Sequence, residues 1–112
     1  MNRQTHTIRQ AAGGSSHFAR VTVSLGNEPS VSSSNDVPPD WIEAAQAGVQ
    51  RALDEISSVA QVVVVDVQGT YADSRTDTMF VAGAIAAFRL LGITDYVESF
   101  ENSKWEIASS ER

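Results

Sequence analysis

The stretch QAAGGSSHFARVTVSL, residues 10–25, decides the fold of the N-terminal part of the chain. It joins a glycine pair, Gly13-Gly14, to an alternating apolar run from Phe18 to Leu25. Glycine enters positive φ without a steric penalty, so the pair predicts a tight turn. The alternation and the β-branched residues of the run predict a strand. With Thr5 to Arg9 as the strand before the turn, we expect a β-hairpin.

A helix and a buried strand are predicted next. Pro38-Pro39-Asp40 is typical of a first helical turn, and apolar residues at helical spacing continue to about Ser57. Gly48 costs this helix about 1 kcal/mol relative to alanine, which indicates a close approach of another element. The run of four valines, Val62–Val65, disfavours helix and favours a central strand.

A second helix is predicted from Met79 to Leu91, with Ser74 or Thr76 as its cap and Gly92 as its C-terminal stop. The chain after Gly92 fits no single element, although its aromatic residues favour order. Residues 108–112 have the composition of a frayed end.

The element order predicts an α+β domain with both helices on one face of a mainly antiparallel sheet. It reads strand, strand, helix, strand, helix, with a weak third strand at residues 31–34 before the first helix. We expect one domain over residues 1–112, because that length buries a sizeable core. Its recognisable part covers about residues 5–92, and residues 93–112 form a diverged C-terminal segment.

Composition excludes several classes of protein. No apolar run of 18 residues is present, and the polar first ten residues do not resemble a secretory signal. The chain has no cysteine, so disulfides and thiolate metal sites are excluded, and a cytoplasmic location is expected. The net charge of −6 disfavours a surface that is coated by nucleic acid.

The charge is unevenly distributed along the chain. Residues 1–27 contain Arg3, Arg9 and Arg20 and no acidic residue, whereas all fourteen acidic residues lie in residues 28–112. This asymmetry indicates one face or end of the molecule that tolerates anions, with a chance cluster of arginines as the alternative.

No enzyme is predicted. Ser16 and His17 are adjacent, and neighbours in a strand point to opposite faces, which is poor geometry for a nucleophile and its base. The glycine pair lacks the lysine of a phosphate-binding loop. His6 and His17 lack ligand spacing for a metal, and no cofactor or small-molecule substrate is expected.

Other polar and aromatic residues are expected to be structural. Asp66 interrupts the valine strand and is expected to have a structural role. Local caps and ion pairs are expected from Asp73, Arg75 and Asp77. Of the two tryptophans, Trp41 is expected in the core, and Trp105 is the better candidate for an interface.

Four segments together resemble domain IV of bacterial elongation factor G, as a stand-alone or excised domain. Residues 9–21, RQAAGGSSHFARV, are similar to the family's R-K-Q-T-G-G-x-G-Q-F-A-K-V. Residues 37–53 resemble its I-P-K-E-Y-I-P-A-V-x-K-G-I-x-E-A-L helix, in which Gly48 aligns with a glycine. Residues 64–67 match its V-V-D-V strand, and residues 79–88 resemble its last helix.

The resemblance implies a β(3)-α-β-α two-layer sandwich, like the second domain of a ribosomal protein, with a left-handed crossover. In that family this domain contacts the decoding region of the small ribosomal subunit through two loops. The first loop corresponds here to Gly13, Gly14, Ser15 and Ser16, and Arg9, His17 and Arg20 flank it. The second corresponds to residues 71–77, with Ala72, Asp73, Ser74 and Arg75 at its centre.

The chain departs from the family at the sites of function. The second loop is about five residues shorter and lacks the family's histidine, and the proline-rich exit to the next domain is replaced by residues 92–98. The expected function is therefore a non-enzymatic module that contacts the small subunit or its RNA, beside a GTPase-bearing translation factor. The alternative is a protein-interaction domain without RNA binding, which self-associates through a sheet edge or residues 96–107. No membrane partner is expected.

Overall fold

A computed structural model of the chain describes residues 3–26, 37–70 and 72–109. Its first elements are strand β1, Arg3–Ala12, and strand β2, Ser15–Leu25, which pair antiparallel along their whole length. Gly13 and Gly14 form the two-residue turn with φ of 61° and 81°. Both values lie in the region that the tightest hairpin turns require. The predicted hairpin is confirmed, with both strands longer than expected.

Strand β3, Val62–Gln68, pairs antiparallel with the other edge of β2, which gives the sheet order β1-β2-β3. The register shifts by one residue beside Asp66, since Thr22 faces Asp66 and Val23 faces Val64. Such a bulge reverses the alternation. Val64 and Val67 consequently both lie in the core, although they are three positions apart in the strand.

Helix α1, Pro39–Glu55, and helix α2, Thr76–Leu90, pack against each other and against the sheet. They cross at two glycines. A Cβ atom on Gly48 would overlap the carbonyl oxygen of Phe80, and one on Gly83 would overlap the carbonyl oxygen of Ala45. The prediction that Gly48 marks a close approach is confirmed.

The two ends of α2 differ in how well the sequence predicted them. At the C-terminus, Gly92 has φ of 82°, and the N–H groups of Gly92 and Ile93 donate to the carbonyls of Arg89 and Phe88. This is the predicted glycine stop. The predicted N-terminal cap is wrong, because Arg75 is the N-cap residue and no side chain caps it.

The C-terminal segment forms a second hairpin from strand β4, Tyr96–Glu101, and strand β5, Lys104–Ser109. It packs against α2. Trp105 is only 4% exposed, so the expectation that it serves an interface is wrong, whereas Trp41 lies in the core as predicted. Ala108 and Ser109 belong to β5 rather than to a frayed end.

The architecture confirms the predicted α+β two-layer sandwich. The helices and the second hairpin cover one face of the β1-β2-β3 sheet. The weak third strand at residues 31–34 lies outside the described residues, and so does the crossover that would start from it. Within the described part of the chain, neither helix is long and apolar enough to cross a membrane.

Candidate functional site

Alternation along the first two strands separates their side chains into a buried set and an outer set. The buried set, which faces the helices and the second hairpin, consists of His6, Ile8, His17, Ala19, Val21 and Val23. Arg9 and Arg20 are exposed on the opposite, outer face of the sheet. The structure thus brings two of the predicted contact residues to one face and places His17 on the other.

Arg9 and Phe18 are cross-strand partners on the outer face. The guanidinium carbon of Arg9 lies 4.8 Å from the centroid of the Phe18 ring. A cation above an aromatic face is attracted by the ring quadrupole. This contact holds the Arg9 side chain against the sheet while the residue stays exposed.

The loop between β3 and α2 is fixed to the backbone of Phe18. The Phe18 N–H donates to the Asp73 carbonyl at 3.0 Å, and its carbonyl accepts the Ser74 hydroxyl at 2.6 Å. The Ser74 oxygen in turn accepts the Thr70 N–H at 2.9 Å. The two loops that were predicted to act together are therefore joined through Phe18, a residue that was predicted only as part of a strand.

An open cleft of about 450 Å³ lies between these two loops. Its lining includes Arg9, Phe18 and the polar residues Gln10, Ser16, Thr70 and Asp73. Asp73 is half-buried. The cleft is thus lined by a cationic, an aromatic and an acidic residue, and its volume suits a small planar ligand.

His17, predicted beside the loop, is 3% exposed and belongs to an aromatic cluster on the inner face. Its ring centroid lies 5.0 Å from that of Phe100 and 5.3 Å from that of Trp105, the latter edge-on. His17 thus anchors the second hairpin beneath the first loop.

The glycine turn is shielded on one side only. A Cβ atom on Gly13 would lie 2.8 Å from the Phe100 ring, whereas one on Gly14 would meet no atom within 4 Å. Gly14, Ser15 and Ser16 are exposed. All four residues of the loop are therefore exposed, and Phe100 packs beside Gly13.

The remaining residues of the second loop have different roles. Ala72 is exposed. The Arg75 guanidinium lies 2.8 Å from the Asp77 carboxylate, as the predicted local pair, and it also donates to the Ser103 carbonyl at 2.9 Å. Asp77 also accepts the Trp105 N–H at 2.8 Å. Arg75 and Asp77 thus hold the turn of the second hairpin.

The second hairpin is also joined to β1 by a carboxylate. Glu98 accepts hydrogen bonds from His6 Nε2 at 2.8 Å and from Gln10 Nε2 at 3.0 Å. The hydrogen bond from His6 lowers the pKa of Glu98 below its ordinary value of 4.5, against the opposing effect of burial. These bonds favour the ionised carboxylate, which strengthens the attachment.

Asp66 lies on the outer face beside the bulge and accepts a hydrogen bond from Gln68 Nε2 at 2.8 Å. Among the described residues, no group of three His, Asp or Glu side chains could hold a metal ion.

Comparison with known proteins supports the fold. A solved structure from Thermus thermophilus is similar to this chain at a TM-score of 0.57 and 14% sequence identity. The match covers 79% of this chain and only 15% of that protein, so the chain corresponds to a small part of its length. No protein-family model and no curated protein matches the sequence. At this identity the likeness shows a shared fold alone.

Proposed function

We propose that this chain is a non-enzymatic, translation-factor-like module that contacts ribosomal RNA, and that it acts in the cytoplasm. The observation that carries the proposal is the placement of Arg9 and Arg20 on one exposed face of the sheet. Within residues 3–26, 37–70 and 72–109, neither guanidinium forms an ion pair with a carboxylate. Both are therefore available for charge-assisted hydrogen bonds to phosphate.

The separation of charge between the two faces supports the same function. Most of the described acidic residues lie on the helices and the second hairpin. The described strands β1, β2 and β3 contain a single acidic residue, Asp66. Its carboxylate accepts a hydrogen bond from Gln68. An RNA strand approaching the outer face meets the arginines first, while the acidic layer repels it from the opposite side.

The glycine turn supplies the point of contact at the end of this face. Gly14, Ser15 and Ser16 are exposed and lie on the same hairpin as both arginines. The sequence resemblance to domain IV of elongation factor G adds support, since the corresponding loop in that family reaches the small subunit. A GTPase-bearing translation factor is the partner that this role implies.

The experiment is co-sedimentation of the protein with ribosomes and with separated subunits at low and moderate salt. We expect pelleting with the small subunit that weakens as salt rises, by roughly 0.7–0.9 in the logarithmic salt slope for each phosphate contact. The double variant Arg9→Ala/Arg20→Ala should lose both the pelleting and most of the slope.

A matched control is Arg51→Ala/Arg89→Ala, which removes the same charge from exposed positions on the two helices. This control should pellet like the unaltered protein. Pelleting that is equally insensitive to both double variants contradicts the proposal.

The alternative function is a protein-interaction domain, which the net charge of −6 favours. Within the described sheet, whose strand order is β1-β2-β3, β1 is an edge strand. A second copy of the chain can add a strand at such an edge. Light scattering over a range of concentrations tests self-association, which a constant monomeric mass would exclude.

A further inference from the structure

The cleft between the two loops has the composition of a site for a base rather than for a phosphate. Asp73 lines it from the second loop and is half-buried. A carboxylate repels a phosphate at close range, and desolvation strengthens this repulsion. Arg9, which also lines the cleft, repels a cation in the same way, so the group that fits both residues is neutral, with hydrogen-bond donors toward Asp73.

The Arg9–Phe18 pair provides a stacking surface in the same cleft. The Arg9 guanidinium lies above the Phe18 ring, 4.8 Å from its centroid, and Arg9 is exposed and lines the cleft. A planar ligand can stack on this guanidinium, as unpaired RNA bases do on arginine planes. The aromatic ring beneath limits the movement of Arg9, so little side-chain entropy is lost on binding.

The position of Asp73 is set by its backbone. Its N–H donates to the Thr70 carbonyl at 3.1 Å and its carbonyl accepts the Phe18 N–H at 3.0 Å. Among the described residues, its carboxylate accepts no hydrogen bond. Asp73 is a half-buried residue on a fixed backbone, and its two carboxylate oxygens are open acceptors for a ligand with two adjacent donors.

Guanine is the base that meets this requirement. Its N1–H and N2–H₂ groups are neighbouring donors on one edge, and both oxygens of a carboxylate can accept them together. Adenine presents one donor beside an acceptor on the corresponding edge, and uracil presents one donor between two acceptors. Either base would place an acceptor against the carboxylate, at a cost of one hydrogen bond and some repulsion.

We propose that the cleft binds an unpaired guanine base of RNA, stacked on Arg9 and recognised by Asp73. The proposal rests on the proposed RNA contact and adds its preferred base. Arg20 lies two residues beyond Phe18 on the outer face, about 7 Å along the strand, where it can meet the phosphates outside the cleft.

The experiment measures binding of labelled RNA by fluorescence anisotropy. The probes are unstructured uridine oligomers of equal length with a central guanosine, inosine or adenosine. We expect the guanosine oligomer to bind about tenfold more tightly than the adenosine oligomer. Inosine keeps N1–H but lacks the N2 amine, so its affinity should fall between the two.

The variant Asp73→Asn should remove the preference for guanosine and leave the affinity for the adenosine oligomer. It should fold, because the backbone of Asp73 makes the bonds that fix the loop, and thermal unfolding by circular dichroism checks this. Asp66→Asn is the matched control on the outer face and should keep the preference.

Free guanosine 5′-monophosphate, added as a competitor, distinguishes a site for a guanine within RNA from a site for the free nucleotide. We expect it to displace the guanosine oligomer only at concentrations well above the dissociation constant of that oligomer, because it lacks neighbouring phosphates. Equal affinity for the free nucleotide and the oligomer would overturn the assignment to RNA.

The outcomes separate the two proposals. Equal binding of all three oligomers that still depends on Arg9 and Arg20 would overturn the guanine site and leave the RNA contact standing. The absence of binding to any oligomer or to ribosomes would overturn the RNA contact as well.

Discussion

The Ser74 hydroxyl donates a 2.6 Å hydrogen bond to the Phe18 carbonyl, which joins the second loop to the central strand of the sheet. The same oxygen accepts the Thr70 N–H at 2.9 Å. One side chain therefore connects the end of β3, the start of α2 and the strand that carries the Arg9 contact. This connection fixes the distance between the two loops and the width of the cleft.

The change Ser74→Ala should lower the free energy of unfolding by about 1–2 kcal/mol, because two backbone groups lose their partner. It should also weaken binding of the guanosine oligomer more than binding of the adenosine oligomer, since Asp73 is the neighbouring residue. Urea unfolding and anisotropy measure the two effects. Thr94→Ala removes an exposed hydroxyl elsewhere and should change neither.

The attachment of Glu98 to His6 predicts a dependence of stability on pH. The lowered pKa of Glu98 means that its ionised form stabilises the folded state at every pH above 4.5. As the pH falls from 4.5 through the lower folded value, this contribution is lost. The change Glu98→Gln should cost about 1–2 kcal/mol at pH 7 and progressively less below pH 4.5.

Urea unfolding at several pH values measures this difference. Glu101→Gln is the control, because Glu101 is exposed on the same strand. A constant difference between Glu98→Gln and the unaltered protein across the acid range would contradict the assigned role of the carboxylate.

The first hairpin shows how far a sequence can predict a site. A two-residue turn at Gly13-Gly14 fixes the register, and counting outward from it places Arg9 opposite Phe18. The same count places His17 on the inner face, away from Arg9. The turn at Gly13-Gly14 therefore predicts the pairing of Arg9 with Phe18, because the register and the alternation of side chains follow from it.

The contacts of the second loop and the C-terminal hairpin could not be predicted from the sequence by counting from a turn. Ser74 was predicted to cap a helix, which is a local role, but its partner is Phe18, 56 residues away. The turn of the second hairpin uses Asn102 and Ser103 at φ of 55° and 65°, without the glycine that would reveal it. Contacts that close over long separations depend on tertiary packing and leave weak local signals.

The crossing of the helices predicts a large effect for a single methyl group. In Gly48→Ala the Cβ atom would overlap the Phe80 carbonyl oxygen, and helix backbones cannot move apart without opening the core. We expect a loss of about 3 kcal/mol or failure to fold, despite the higher helix propensity of alanine.

Gly92→Ala is the matched control for this change. No atom lies within 4 Å of a Cβ there, so the cost comes from its positive φ alone, about 1–2 kcal/mol. Urea unfolding of both variants compares them. An equal or smaller loss for Gly48→Ala would mean that the helices can separate at low cost.

The burial of Trp105 predicts that the C-terminal hairpin unfolds together with the rest of the domain. Trp105 is 4% exposed and contacts His17 edge-on. The change Trp105→Ala should lower the free energy of unfolding by about 3–5 kcal/mol.

The variant retains Trp41 as its one tryptophan, so tryptophan fluorescence then reports on α1 alone. A shift of the Trp41 transition to lower urea would show that loss of the hairpin contact reaches the helical layer. If the Trp41 transition stayed in place while the amides of β4 and β5 lost their protection from hydrogen exchange, the hairpin would be a separate unit. The aromatic cluster around His17 joins the hairpin to the first loop, so we expect one cooperative transition and a weaker RNA contact in the same variant.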